Sequence, residues 1–272
     1  MATDVLSYPP AGFDGEMWDR GRDAAPAATA PISLRIVTWN VWFGGHMFEE
    51  RGQALLAELA RRRADVIALQ EVTAPLLAAI HEEPWVRAGY QVSELDVLGY
   101  DVIVLARVPI AEMRMLRLPT EMGRRLLVAR LACGLDVATV HLESMRECSA
   151  QRAAQLRIIL PFLAAQSEDA VLIGDMNFEP DAPLETAELD PSFVDVWPAL
   201  RPDDRGHSVD SDRNPMRARV LGKPSGKRID RVFARTRRWR PEAIELLGTA
   251  PIDGADTFVS DHFGLEILLR VR

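Results

Sequence analysis

Val171-Leu172-Ile173-Gly174-Asp175-Met176-Asn177 is the stretch whose reading decides the fold. A short apolar, β-branched run that stops at an aspartate is the pattern of a strand buried on both faces, with a reactive side chain at its end. The same pattern recurs upstream. Asn40 follows Ile36 to Trp39, Glu71 follows Val66 to Gln70, and His141 follows Val137 to Val140. Near the other end, Asp261 and His262 precede the apolar run Phe263 to Val271. Strand ends and their loops are where rigid sheets aim side chains into one crevice, so these residues are expected to meet. Asp175 and Asn177 are two apart and face one side if strand geometry persists through them. A cluster of Asn, Glu, Asp and His suits a hard divalent cation with an acid/base pair beside it.

Working outward, eight strands are expected: Leu34 to Val41, Val66 to Leu69, Val102 to Leu105, Leu126 to Leu131, Val137 to Val140, Val171 to Ile173, Ile229 to Phe233 and Leu265 to Val271. Helical spacing appears from Phe48 to Arg63 and from Ala150 to Ala165, where Pro161 should introduce a kink. So many strands so close together exclude a simple alternation of strand and helix. The expected class is α/β, a four-layer sandwich of two packed mixed β-sheets flanked by helices. Residues 1–31, rich in Ala and Pro, read as a flexible leader, and residues 32–272 as one catalytic domain. No internal repeat at a fixed period is visible.

Composition narrows the class further. Of 272 residues, 48% are hydrophobic and 26% charged, which excludes a disordered or fibrous chain. No charge-free stretch reaches the ~18 apolar residues of a membrane span. No Lys or Arg precedes Arg20, so the chain lacks the basic start of a secretory signal, and the expected site is cytoplasmic, with no membrane partner. Cys133 and Cys148 have no metal-type spacing and are expected to be free thiols.

At the strand ends the sequence resembles the endonuclease/exonuclease/phosphatase superfamily. The resemblance lies in Thr38-Trp39-Asn40, Leu69-Gln70-Glu71, Gly174-Asp175-Met176-Asn177, Arg228-Ile229-Asp230 and Ser260-Asp261-His262. Within it the chain looks most like the 5′-tyrosyl-DNA phosphodiesterase branch, through His141-Leu142-Glu143-Ser144, Arg146, and the later Arg152 and Gln155. The resemblance implies hydrolysis of phosphodiesters with Mg²⁺ or Mn²⁺. It assigns Glu71 to the metal, with Asn40 and Asp261 nearby, and Asp175 and Asn177 to the attacking water. It gives His262, oriented by Asp230, the transition state, and gives His141 and Ser144 the phosphoryl oxygens. Arg146, His207 and Ser208 complete the expected substrate contacts. Two departures stand out: Trp42 occupies a position where many members are acidic, and His207-Ser208-Val209-Asp210 stands where the tyrosyl branch places a stacking aromatic. The other readings are a phosphodiesterase or phosphatase of the sphingomyelin or inositol phosphate type, and an inactive binding module.

The net charge is −8, which argues against an indiscriminate nucleic-acid coat. Arg213 to Arg240 nevertheless holds eleven basic residues and one acid, Asp230. That density points to nucleic acid as the partner, bound through residues 213–240, with a solvated face as the plain alternative. His46 and His81 have no such context and read as ordinary surface histidines. Trp39 and Trp42 read as core or rim packing.

Overall fold

The computed structural model describes residues 4–20, 31–222, 225–252, 254 and 256–272. Two sheets hold nearly all the strands. The seven-stranded sheet runs, in spatial order, Val5–Tyr8, Ile110–Arg117, Arg125–Leu131, Asp136–His141, Ala170–Asp175, Asp230–Arg235 and Val194–Asp195. The eight-stranded sheet runs Trp239–Leu247, Gly264–Val271, Ser33–Asn40, Val66–Thr73, Tyr100–Ala106, Gln91–Val92, Ala11–Phe13 and Trp18–Arg20.

Alternation along the strands builds the layers. Ile36, Val66, Ala68 and Val104 face Val137, Val171, Ile173 and Val232 between the sheets. Their neighbours Val37, Ile67, Leu69 and Ile103 face outward onto Leu55, Leu56 and Leu59 of helix Phe48–Arg62. On the opposite outside, Ala138, Val140, Leu172 and Phe233 pack on Leu156, Ile159, Leu160 and Leu163 of helix Ser149–Gln166. Both faces of each sheet are therefore covered, which is why the central strands read as apolar runs and not as alternations. This is the four-layer α/β sandwich expected. Helix Ser149–Gln166 runs unbroken across Pro161, whose side chain is exposed.

Each sheet carries the same unit. A helix joins a parallel pair of strands, Ser33–Asn40 with Val66–Thr73 and Asp136–His141 with Ala170–Asp175. Parallel strands joined this way end on the same side, so Asn40, Glu71, His141 and Asp175 emerge together. The chain departs from the sequence reading at its start. Val5–Tyr8 pairs with Ile110–Arg117, and Ala11–Phe13 pairs with Val92, so residues 5–20 belong to both sheets and are not a flexible leader. Their apolar signal is too short to show a period, and pairing to distant strands supplies what local sequence does not. Residues 1–3 and 21–30 of that expected leader lie outside the described residues. Trp18 packs at a tilt against His81, centroids 5.0 Å apart, and helps bury a histidine expected at the surface.

Gly174 shows how tightly the central strands approach. Its φ is +129°, and an added Cβ would lie 2.1 Å from the Val140 carbonyl oxygen. Gly174→Ala is expected to cost roughly 3 kcal/mol or more, read as a fall in urea midpoint. Gly45→Ala, where an added Cβ meets nothing within 4 Å, should be near neutral in the same measurement.

Candidate active site

Register places the seven-stranded sheet's contribution. His141 is the partner of Asp175, and Asp175 is the partner of Asp230, so three adjacent strands each deliver one polar residue at the same level. The eight-stranded sheet contributes through a bulge. Between Leu69 and Val72 the pairing with Tyr100–Ala106 gains one residue, and Glu71 takes φ +63°. Without the bulge, Gln70 and Glu71 would point to opposite faces. With it, Gln70 stays between the sheets, donating 3.0 Å hydrogen bonds to Thr38 and Thr139, while Glu71 turns to the site.

Asn40 joins the two halves. Its Nδ2 donates to Glu71 Oε1 and to Asp175 Oδ2, both at 3.0 Å, while its Oδ1 accepts the Trp42 N–H. It thus turns its amide nitrogen to the carboxylates and aligns them, while its oxygen accepts a backbone N–H of the loop that follows. Glu71 Oε2 accepts the Phe43 N–H at 3.1 Å. Burial pushes the Glu71 carboxyl up, against the hydrogen bond from Asn40.

Asp175 is almost fully enclosed. Burial and the nearby Asp230 carboxylate push its carboxyl up to about 7. Strand geometry does not persist to Asn177: the strand ends at Asp175, and Asn177 has φ +53°. The turn still keeps them together, since the Asn177 N–H donates to Asp175 Oδ1 at 2.9 Å and its Nδ2 to the Leu142 carbonyl at 3.1 Å.

His262 stands across from these groups, its Nδ1 2.7 Å from Asp230 Oδ2. Burial alone would lower the imidazole, but the Asp230 and Asp261 carboxylates outweigh it and hold His262 well above the usual histidine range. The ring is therefore protonated near neutrality. Asp175, Asp230 and His262 offer atoms all within 4.8 Å of one another. A protonated imidazole repels a cation, so this trio is an acid/base group more than a metal nest. Asp230→Asn is expected to drop the His262 titration towards that of an ordinary histidine, followed by the pH dependence of its ring signals in NMR. A ring that stays protonated as high as in the parent would show that Asp230 is not its partner.

His141 behaves oppositely. Burial, then the Arg124 guanidinium, push it well below the usual range, so it is neutral. Arg124 Nη1 lies 3.0 Å from Nδ1, which leaves the ring proton on Nε2, facing Asp175 Oδ2 at 3.4 Å and Ser144 Oγ at 3.4 Å. Arg124 also donates to Ser144 Oγ at 2.9 Å.

Several candidates change role. Ser208 is fully buried; its Oγ accepts the Asp230 N–H at 3.0 Å, so it fixes the strand end and does not meet substrate. Arg146 is exposed on the short turn Arg146–Cys148 beside Ser144, and His207 borders a groove of about 330 Å³ with Trp197 and Arg228. Asp261 is buried, 3.6 Å from Arg217 Nε and 4.0 Å from His262 Nε2. Arg152 and Gln155 brace the segment after His141, bonding Glu185 and the Glu143 N–H respectively.

The basic stretch does not form one patch. Arg228 and Arg231 both bond Asp195 near the site. Arg235 pairs with Ala170, at the far end of the strand that starts at Asp230. Arg237 and Arg238 follow it, their N–H groups on Asp169, and Arg240 pairs with Arg270, at the end of that hairpin opposite Gly264. Density along the sequence is not density in space, because a six-residue strand carries the chain ~17 Å away. Lys223 lies outside the described residues.

Two functional residues escaped sequence reading, Arg124 and Arg51. Arg51 is buried and donates to the carbonyls of Val41, Trp42, Gly44, His46 and Val259, tying the loop after Asn40 to the loop before His262. Burial lowers its guanidinium to about 10, and it stacks on Trp42. No local pattern marks either arginine, since each acts on atoms the fold brings to it.

Residues 37–262 match the Endonuclease/Exonuclease/phosphatase family. The mouse (Mus musculus) protein named tyrosyl-DNA phosphodiesterase 2 is 29% identical over 92% of this chain and 70% of its own length. The human (Homo sapiens) protein of that name is 29% identical over 85% of this chain and 66% of its own. The chain thus spans about two thirds of the length of these relatives. A crystal structure of D. rerio TDP2 complexed with a single-strand DNA product superposes with a TM-score of 0.78 at 27% identity, covering 88% of this chain and 99% of that one.

Proposed function

The chain belongs to the endonuclease/exonuclease/phosphatase family, and from its site we propose that it hydrolyses phosphodiester bonds of nucleic acid, with 5′-tyrosyl DNA ends as the substrate. The observation that carries the reaction class is the meeting of neutral His141, buried Asp175 and the protonated His262–Asp230 pair beside Glu71. The relatives' names support the substrate, and so does the rim: Phe43 and Tyr100 stack 4.5 Å apart next to His141, an apolar flat surface that suits an aryl group.

The residues fit a divalent cation. Glu71, Asp175, Asp230 and Asp261 outnumber the one protonated imidazole, so the acidic oxygens gathered here carry more negative charge than His262 offsets. Glu71 would hold the ion, with Asp261 near it; Mg²⁺ or Mn²⁺ suits such oxygen donors. When bound, it supplies charge to neutralise the phosphoryl oxygens and the departing oxygen. Asp175, with its raised carboxyl, accepts a proton from water and directs it at phosphorus. Ser144 presents its hydroxyl to the phosphoryl oxygens, held by Asn177 Nδ2 at 3.4 Å, and the His141 Nε2–H adds a neutral donor. His262 brings a positive charge to the phosphoryl group as negative charge develops, and Asp230 keeps that charge in place.

The test is a substrate panel: 5′-tyrosyl DNA, abasic duplex, single-stranded DNA, RNA, sphingomyelin and inositol phosphates. The expected result is preference for 5′-tyrosyl DNA; hydrolysis of the last two alone would select the lipid or small-molecule reading, and no turnover of any would select a binding module. Because Arg237, Arg238 and Arg240 lie away from the site, replacing all three by alanine is expected to leave the salt dependence of oligonucleotide binding unchanged, whereas a loss of about one unit of slope per residue would place the backbone there.

A further inference from the structure

We infer that the N-terminal strands are part of the active-site wall, acting through a chain of charges that bolts the two sheets together beside His141. Tyr8 lies on the seven-stranded sheet, and its hydroxyl donates at 2.8 Å to Glu94, in the loop after Gln91–Val92 of the other sheet. Glu94 forms an ion pair with Arg125 at 3.3 Å, and Arg125 also bonds Asp101 at 2.9 Å. Arg125 belongs to the seven-stranded sheet and Asp101 to the eight-stranded one, so this ion pair also crosses the sandwich. Arg20 closes the cluster, 3.9 Å from Glu94 and with its guanidinium 4.9 Å over the Tyr8 ring.

The neighbours of this bolt face the site. Beside Asp101 is Tyr100, and beside Arg125 is Arg124, whose guanidinium lies 5.3 Å over the Tyr100 ring and whose Nη1 meets His141 Nδ1. One small cavity is lined by Tyr100, Asp101, Arg124, Arg125 and His141 together. The reactive groups come from both sheets, so their separation depends on how the sheet ends are held. The pairs Tyr8–Glu94 and Asp101–Arg125 hold them at this edge. Tyr8, Glu94, Asp101 and Arg125 are thus positioning residues, and Tyr8 and Arg20 lie before the family-matched residues 37–262. Removing the bolt lets Arg124 withdraw from His141, which then loses the donor that fixes its ring proton on Nε2.

The inference rests on the proposed hydrolytic reading only for its kinetic arm. Full-length wild type, Arg125→Leu, Tyr8→Phe and Arg107→Leu are compared by long-range ¹H–¹⁵N spectra of the histidine rings and by turnover of a 5′-tyrosyl oligonucleotide. Arg107 pairs with Asp65 at the opposite end of the strands and serves as a control for mere loss of an ion pair. Expected are a changed His141 tautomer pattern and an about 10- to 100-fold fall in kcat/KM for Arg125→Leu, the same direction with smaller size for Tyr8→Phe, and neither for Arg107→Leu. Should Arg125→Leu not fold, Tyr8→Phe carries the test, since it removes one hydroxyl. Unchanged His141 signals in the folded variants overturn the inference whatever the substrate. Altered signals in a protein that leaves 5′-tyrosyl DNA intact would overturn the substrate reading and sustain the positioning role.

Discussion

Asp175→Asn is expected to lower kcat by about 10²–10⁴-fold with little change in KM, because asparagine keeps the size and one acceptor oxygen, for Asn40 or for Asn177, but cannot take a proton from water. The same substitution should make the metal-free protein more stable at neutral pH. The folded-state carboxyl titrates at about 7, above the ordinary 3.8. A raised value means that the stability linked to this proton is full below the unfolded value and is lost as pH rises through the folded one. The variant has no such proton to lose. Its urea midpoint should therefore exceed that of the parent at about pH 8 and converge with it at about pH 4. A variant with parental kcat would remove Asp175 from the reaction, and one destabilised at about pH 8 would mean that its charge is compensated in the fold.

Glu71→Gln is the second large effect expected. The bulge at Glu71 imposes an unfavourable backbone on a residue that could otherwise sit in a regular strand, and such strain persists where a side chain must be aimed. Glutamine retains the size and can still accept the Phe43 N–H, but it carries no charge with which to hold a divalent ion. We expect kcat/KM to fall by at least ~10³-fold at limiting cation, with partial recovery as the cation is raised, and a thermal midpoint in chelator no lower than the parent's at neutral pH, since burial raises the Glu71 carboxyl. Equal cation dependence in variant and parent would place the ion elsewhere.

Much of this architecture was legible in the sequence for a definite physical reason. The eight expected strands are those covered on both faces, where burial demands apolar, β-branched residues in unbroken runs. Ile110–Arg117 and Trp239–Leu247 were missed because they expose one face, carry Glu112, Arg114, Glu242 and Glu245 within them, and draw their stability from partners far away in the chain. The first strands were missed for the same reason. At the site, Asn40, Glu71, His141 and Asp175 could be found because each terminates an apolar run, and Asp230 and His262 because they stand in recognisable motifs. The orientation of the Asn40 amide, the retreat of Ser208 into a strand cap and the Arg124 contact with His141 could not, since each depends on which atoms the two sheets bring within 3 Å. The basic stretch was read along the sequence, and the strand Asp230–Arg235 divides it between two ends of the molecule.

The proposed reaction is cation-dependent cleavage of a tyrosyl–DNA phosphodiester at the joined strand ends. Its most direct measurement is the release of tyrosine from a 5′-tyrosyl oligonucleotide by the full chain, in Mg²⁺ or Mn²⁺ and in excess EDTA, with Glu71→Gln alongside. Release with either cation, none in EDTA, and a large deficit in the variant are expected. Undiminished release in EDTA, or no release under any cation by a protein that hydrolyses another phosphodiester, would contradict that reaction.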